Sequence, residues 1–263
     1  MKLAVVGKGG VGKTTIAGTL ARLLARDGFN VIAVDADPNL NLATSIGVPE
    51  EIASKIVPLS ANIELIKSRT QTYFGGVLSY TPRVDDIVEK FGVVGPDSVK
   101  LLVMGTVRSG GSGCMCPENA FLRALLAHLI LGRDDVVILD MVAGLEHLGR
   151  GTARGVDVML CVVEPSIKAI ETAYRINKLA KEIEVENFVI VANKVSSSED
   201  LEFIKSRLEN SGLKLLGTIP YDTSVIKADM LGKALIDYNL DSIALRHIID
   251  LKNRLIKEYI ELL

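Results

Sequence analysis

The stretch "VVGKGGVGKTT", residues 5–15, decides how the rest of the chain is read. Gly7 to Thr14 satisfy the spacing G-x-x-x-x-G-K-[ST], directly after the apolar run Leu3–Val6 and at the start of a helical pattern. Glycines let the backbone turn sharply with its N–H groups pointing inward, and a helix N-terminus adds the positive end of a dipole. The reading is a phosphate-binding loop in which Lys13 reaches the β- and γ-phosphates of a nucleotide and the Thr14 hydroxyl ligates Mg2+. Gly7, Gly9, Gly10, Val11, Gly12 and Thr15 complete the candidate cradle. A glycine turn that merely caps a helix would not need lysine and threonine straight after its last glycine.

Outward from this loop, short apolar runs recur at Leu3–Val6, Val31–Val34, Val99–Met104, Val136–Leu139, Val158–Val163, Phe188–Ala192 and Leu215–Ile219. Most read as fully buried strands. Helical patterns lie between them, such as Thr14–Arg26, Phe121–Leu131 and Ile167–Ile183. That alternation implies right-handed crossovers and a doubly wound, mainly parallel α/β sheet flanked by helices. One domain over 1–263 is expected, with an irregular insertion around 60–98, where "YFGG", "TPRVDD" and "VVGPDS" break the periodicity. From Asp241 onward, apolar residues at helical spacing predict a helix docked on the sheet rather than one that seeks a membrane.

Composition excludes several classes. Lys and Arg total 30 against 32 for Asp and Glu, so no global positive field holds a polyanion, and nucleic acid is not expected as a main partner. No stretch approaches a bilayer span, and the N-terminal apolar run is too short for a secretory signal. A cytoplasmic location is expected. Three cysteines in 263 residues do not make a disulfide framework and are expected reduced.

A second lysine, Lys8, lies inside the loop and gives "KGGVGKTT". Here the sequence resembles the deviant Walker A ATPases, the class of MinD, ParA and the nitrogenase iron protein. That resemblance implies an ATP-dependent homodimer in which Lys8 crosses the two-fold interface to the partner's nucleotide. "DADPN" places Asp35 and Asp37 at a strand end and just beyond it, and "VVILDMVAG" has the form of a Walker B strand ending in Asp140. The resemblance implies that Asp35 holds a magnesium-bound water and that Asp37 orients the attacking water. Phosphoryl transfer is mostly positioning and charge neutralisation, which such groups supply. "VIVANKVSSS" puts Asn193 and Lys194 at another strand end, resembling the base-contacting motif of these enzymes. Ser196 stands where a guanine reader would have an acid, so ATP is favoured over GTP. Pro220 and Tyr221, in "GTIPYD", correspond to the loop that the family folds over the adenine. Glu164 and Pro165 stand at a strand end and receive no role.

The segment "GSGCMCPENAFL" holds Cys114 and Cys116, followed by Pro117 at the expected first position of a helix. A thiol at a helix N-terminus is shifted toward thiolate, the form that binds metal. Two sulfurs cannot complete a four-coordinate site alone, but an isologous dimer doubles every ligand and gives an S4 set suited to nickel or zinc. In the nitrogenase iron protein the second cysteine of each subunit lies after Walker B, where this chain has Ala143. Cys161 lies in a buried strand pattern and His147 in a helix-facing position, so both read as structural. Together with "DMVAGLEHLGRGTA", the C-X-C resembles the CooC-type accessory ATPases that mature nickel-containing carbon monoxide dehydrogenase. The resemblance implies ATP, Mg2+ and Ni2+ (or Zn2+) as ligands and that dehydrogenase as client. The rival expectations are a MinD- or ParA-like positioning ATPase and an iron–sulfur cluster carrier.

Overall fold

The computed structural model describes residues 1–37, 41–70, 84, 86–105, 121, 124, 125, 129, 134–141, 156–209 and 211–260. Among the described residues eight strands form one sheet: β1 (Lys2–Gly7), β2 (Asn30–Ala36), β3 (Val93–Val94), β4 (Lys100–Val103), β5 (Asp135–Met141), β6 (Val158–Val163), β7 (Asn187–Val195) and β8 (Lys214–Pro220). Their order across the sheet is β3-β4-β2-β5-β1-β6-β7-β8, and every pairing is parallel except β3 with β4. The helices, in chain order, are α1 (Lys13–Arg26), α2 (Leu42–Ile46), α3 (Glu50–Ala53), α4 (Ile63–Thr70), α5 (Ile87–Phe91), α6 (Ile167–Glu182), α7 (Ser198–Leu208), α8 (Thr223–Met230), α9 (Leu235–Tyr238) and α10 (Ile243–Leu255). Of the expected helix over Phe121–Leu131, residues 121, 124 and 125 are described and helical, with Phe121 fully buried.

The unbroken apolar runs explain the parallel sheet. Residues of β1, β5 and β6 are buried on both faces, with Leu3, Val5, Val137, Ile138, Val158 and Val162 all at 0% exposure. Such strands need cover on both sides, which crossover helices provide. Helix α1 turns Ile16, Leu20 and Leu24 inward, and Gly18 lets it approach α2 so closely that a β-carbon there would stand 2.8 Å from the carbonyl carbon of Ser45. Within the stretch 60–98, α4 and α5 are helical, and Val93–Val94 adds an antiparallel edge to the sheet. Residues 71–83 and 85 lie outside the described part.

Helix α10 is docked. Ala244, Leu245, Ile248, Leu251 and Leu255 are buried along one face. Lys252 pairs with Asp27 at the end of α1, and Arg254 donates to the Leu216 carbonyl of β8 at 2.8 Å. Among the described residues no helix is long and apolar enough to cross a membrane.

Connectivity positions the site. From β1 the chain crosses by α1 to β2 on one side, whereas β5, also on that side, connects onward to β6 on the other. The carboxyl ends of β1 and β6 therefore flank a topological switch point, the place where an open α/β sheet leaves a crevice for ligands.

Candidate functional site

The loop from Gly7 to Gly12 sits in that crevice with backbone angles only glycine adopts readily. Gly7 has φ of +141°, and a β-carbon there would meet the Val162 carbonyl oxygen of β6 at 2.3 Å. Gly12 has φ of +97° and caps α1 without any side-chain hydrogen bond, leaving the first N–H groups of the helix for a ligand. A β-carbon at Gly12 would lie 2.4 Å from Nδ2 of Asn193. Lys13 folds back so that Nζ donates to the Lys8 carbonyl at 3.2 Å, and it is only 7% exposed. Burial lowers its pKa, opposed by the charges of Asp140 and Asp37.

Two acids lie beneath the loop because the register of β2 on β5 pairs Asp35 with Asp140. Asp35 is fully buried; its Oδ1 accepts from the Asp37 amide at 3.0 Å and its Oδ2 from the Leu42 amide at 3.1 Å. Burial pushes its pKa up to about 6 against the pull of those two amides. Asp140 is 1% exposed, and neither carboxylate oxygen has a hydrogen bond of good geometry among the described residues. Burial, with the charges of Asp35 and Asp37, pushes it to about 7, although the Thr14 hydroxyl and the Lys13 charge draw it down.

Such an orphaned carboxylate beside the P-loop threonine suits a hard, hydrated cation. Among the described residues no group of three or more His, Cys, Asp or Glu side chains is arranged to hold a metal unaided. Mg2+ does not require one, since it keeps several waters and takes the rest of its shell from a carboxylate or two and nucleotide phosphates.

On the other flank, β7 and β8 lose register between Ala192 and Val195, and Lys194 has φ of +58°. The irregularity aims two successive side chains at the loop. Asn193 Nδ2 donates to the Val11 carbonyl at 2.7 Å, and Lys194 Nζ donates to the Gly10 carbonyl at 2.6 Å. Both residues were expected at the base; their described contacts brace the P-loop. The Tyr221 amide donates to the Val195 carbonyl at 2.9 Å, which ties the exposed Tyr221 and its neighbour Pro220 to the end of β7. The signal missed in the sequence is Glu164. At the end of β6 it pairs through Oε1 with Lys8 at 3.1 Å and through Oε2 with Lys194 at 3.8 Å.

The structure thus brings together the P-loop residues, Asp35, Asp37, Asp140, Asn193, Lys194 and Glu164. Cys114, Cys116, Ala143 and His147 lie outside the described residues. Cys161 is fully buried in β6, and burial pushes its thiol up to about 12.

Residues 3–236 match the CobQ/CobB/MinD/ParA nucleotide binding domain family. An uncharacterized ATP-binding protein of Methanocaldococcus jannaschii is 49% identical over 98% of each chain. The carbon monoxide dehydrogenase accessory protein CooC of Rhodospirillum rubrum is 45% identical over 90% of each chain. Among solved structures, the cell division ATPase MinD of Pyrococcus furiosus superposes with a TM-score of 0.71 at 20% identity, over 97% of this chain and 98% of that one. At that identity the likeness speaks for the fold alone. The chain belongs to the CobQ/CobB/MinD/ParA family of nucleotide-binding proteins, within which it is a CooC-type P-loop ATPase.

Proposed function

We propose that this ATPase is a homodimeric nickel chaperone that serves a nickel-containing carbon monoxide dehydrogenase, binding its cargo through Cys114 and Cys116 of both subunits. The observation that carries the reading is the similarity to CooC of Rhodospirillum rubrum along nine-tenths of both chains, on a chain whose sequence holds a C-X-C between the β4 and β5 strands.

In this reading the P-loop amides and the N-terminus of α1 take the phosphates of ATP, and Lys13 bridges the β- and γ-phosphates. Thr14 and, through a water, Asp35, with Asp140 beside it, would hold Mg2+, which when bound would supply neutralisation of the charge developing on the transferred phosphoryl group. Asp37, just beyond β2, orients the attacking water. Lys8 reaches the nucleotide of the partner subunit, so that the interface closes only around ATP. A metal site divided between two subunits exists only while they are closed, and nucleotide state then sets metal affinity by linkage.

The decisive experiment is equilibrium Ni2+ binding and solution mass of anaerobic protein, with and without ATP. The expected result is stoichiometric nickel per dimer, abolished by Cys114→Ser. Retention of tight Ni2+ by that variant overturns the assignment. Co-sedimentation with liposomes or DNA in the presence of ATP would instead favour a positioning ATPase, and bound iron with a brown colour a cluster carrier.

A further inference from the structure

A carboxylate facing a cradle built for polyanions requires an explanation, because its charge opposes the ligand. Glu164 is in that position, and it is neutralised rather than distant. Its Oε1 lies 3.1 Å from the ammonium of Lys8 and its Oε2 lies 3.8 Å from that of Lys194, whose own contact is the Gly10 carbonyl at 2.6 Å. The Ser166 hydroxyl, which caps α6, lies 3.5 Å from Oε1. One acid therefore holds both lysines on the open flank of the loop. The Lys8 and Glu164 side chains are 37% and 23% exposed, so the pair is screened and can be exchanged at modest cost.

We propose that Glu164 is a positioning residue that holds Lys8 on its own subunit, so that dimer closure must exchange a Lys8–carboxylate pair for a Lys8–phosphate pair across the interface. This rests on the dimeric reading above. The exchange is favourable only when the incoming phosphate is more strongly charged than the carboxylate it replaces. The γ-phosphate of ATP meets that condition better than the shorter, less charged ADP. Glu164 then sets a threshold for association that the ATP-bound dimer clears and the ADP-bound one does not, without touching the nucleotide. Two such pairs are broken in each symmetric dimer, which doubles the effect on the association free energy.

The test measures the dimer dissociation constant of the full chain by sedimentation velocity with Mg2+ and either a non-hydrolysable ATP analogue or ADP. Glu164→Gln keeps the size of the side chain and removes its charge. It is expected to associate about tenfold more tightly with the analogue, at a few-fold for each of two partly exposed pairs, and to form measurable dimer with ADP. Glu164→Asp, which retains the charge at shorter reach, is expected between wild type and Gln. Unchanged or weaker association of Glu164→Gln, or a tightening confined to one of the two nucleotides, overturns the proposal. Lys8→Ala separates the two layers of argument. If Lys8→Ala dimerises like the wild type, the interface role of Lys8 is lost. If it stays monomeric while Glu164→Gln shows no tightening, only the role of Glu164 is lost. The double variant is expected to behave as Lys8→Ala; recovery of dimer in it would mean that Glu164 acts by its own charge and not through Lys8, which also overturns the proposal.

Discussion

The two flanks of the P-loop solve opposite electrostatic problems. On the β2–β5 side, two acids are packed side by side at 0% and 1% exposure, and one of them has both oxygens without a well-formed hydrogen bond among the described residues. On the β6–β7 side, Lys8, Glu164 and Lys194 lie partly in water and are mutually paired. The buried flank is destabilising in itself, since removing a carboxylate from water without a partner costs free energy that only a cation or a proton recovers. The open flank costs little and can rearrange. The contrast assigns fixed, preorganised chemistry to one side of the loop and exchangeable contacts to the other.

The largest expected effect breaks the chemistry shared by both flanks. Lys13→Ala should lower kcat for ATP hydrolysis by on the order of 10²–10³, because one preorganised charge aimed at the transferring group is removed. A thermal melt should show that the variant is folded, and a kcat within a few-fold of wild type would remove Lys13 from the reaction.

Asp140→Asn sharpens the cost of the buried flank. The pKa of Asp140 is about 7 in the folded protein, above the ordinary carboxylate value, so the folded state holds the proton more tightly than the unfolded chain. Its contribution therefore favours folding at low pH and is lost as pH rises from about 4 through 7. Nucleotide-free Asp140→Asn should gain about 4 kcal/mol of stability at pH 8 relative to wild type and little at pH 4, read by urea unfolding at both values. Equal gains at the two pH values would show that the carboxylate is not under strain.

The smallest effect concerns the brace on the open flank. Asn193→Ala removes the donor to the Val11 carbonyl and should cost about 1 kcal/mol of stability. The KM for ATP should rise several-fold while kcat falls less, because the loop is loosened and no reacting group is lost. A change confined to kcat would move Asn193 from bracing to chemistry.

Legibility in the sequence follows how local each feature is. The P-loop and the Walker B strand are contiguous patterns, and the strand runs that carry them lie within a residue or two of their expected limits. Val93–Val94 is too short for any periodicity to register, and it joins the sheet only because β4 offers an edge. Glu164 is one carboxylate at a strand end, which in a sequence carries no information. Its meaning comes from the register that sets Gly7 beside Val162, bringing Lys8 over the end of β6. Asn193 and Lys194 are placed correctly at the end of a strand, but the break in pairing that turns them onto the loop depends on β8. The approach of α1 to α2 at Gly18 is likewise invisible until Ser45 is seen against it.

Helix α2 is five residues long and is fastened at both ends. Asp35 accepts the amide of Leu42 at its start, and the buried Arg22 donates to the Ile46 carbonyl at its finish. Arg22 is itself anchored by Asp97 and Asp237. The helix therefore ties the acid that packs beside Asp140 to the guanidinium of Arg22, and through it to the turn at Pro96–Ser98 and to α9, so that a displacement of that carboxylate would be shared with segments far along the chain rather than absorbed where it arises.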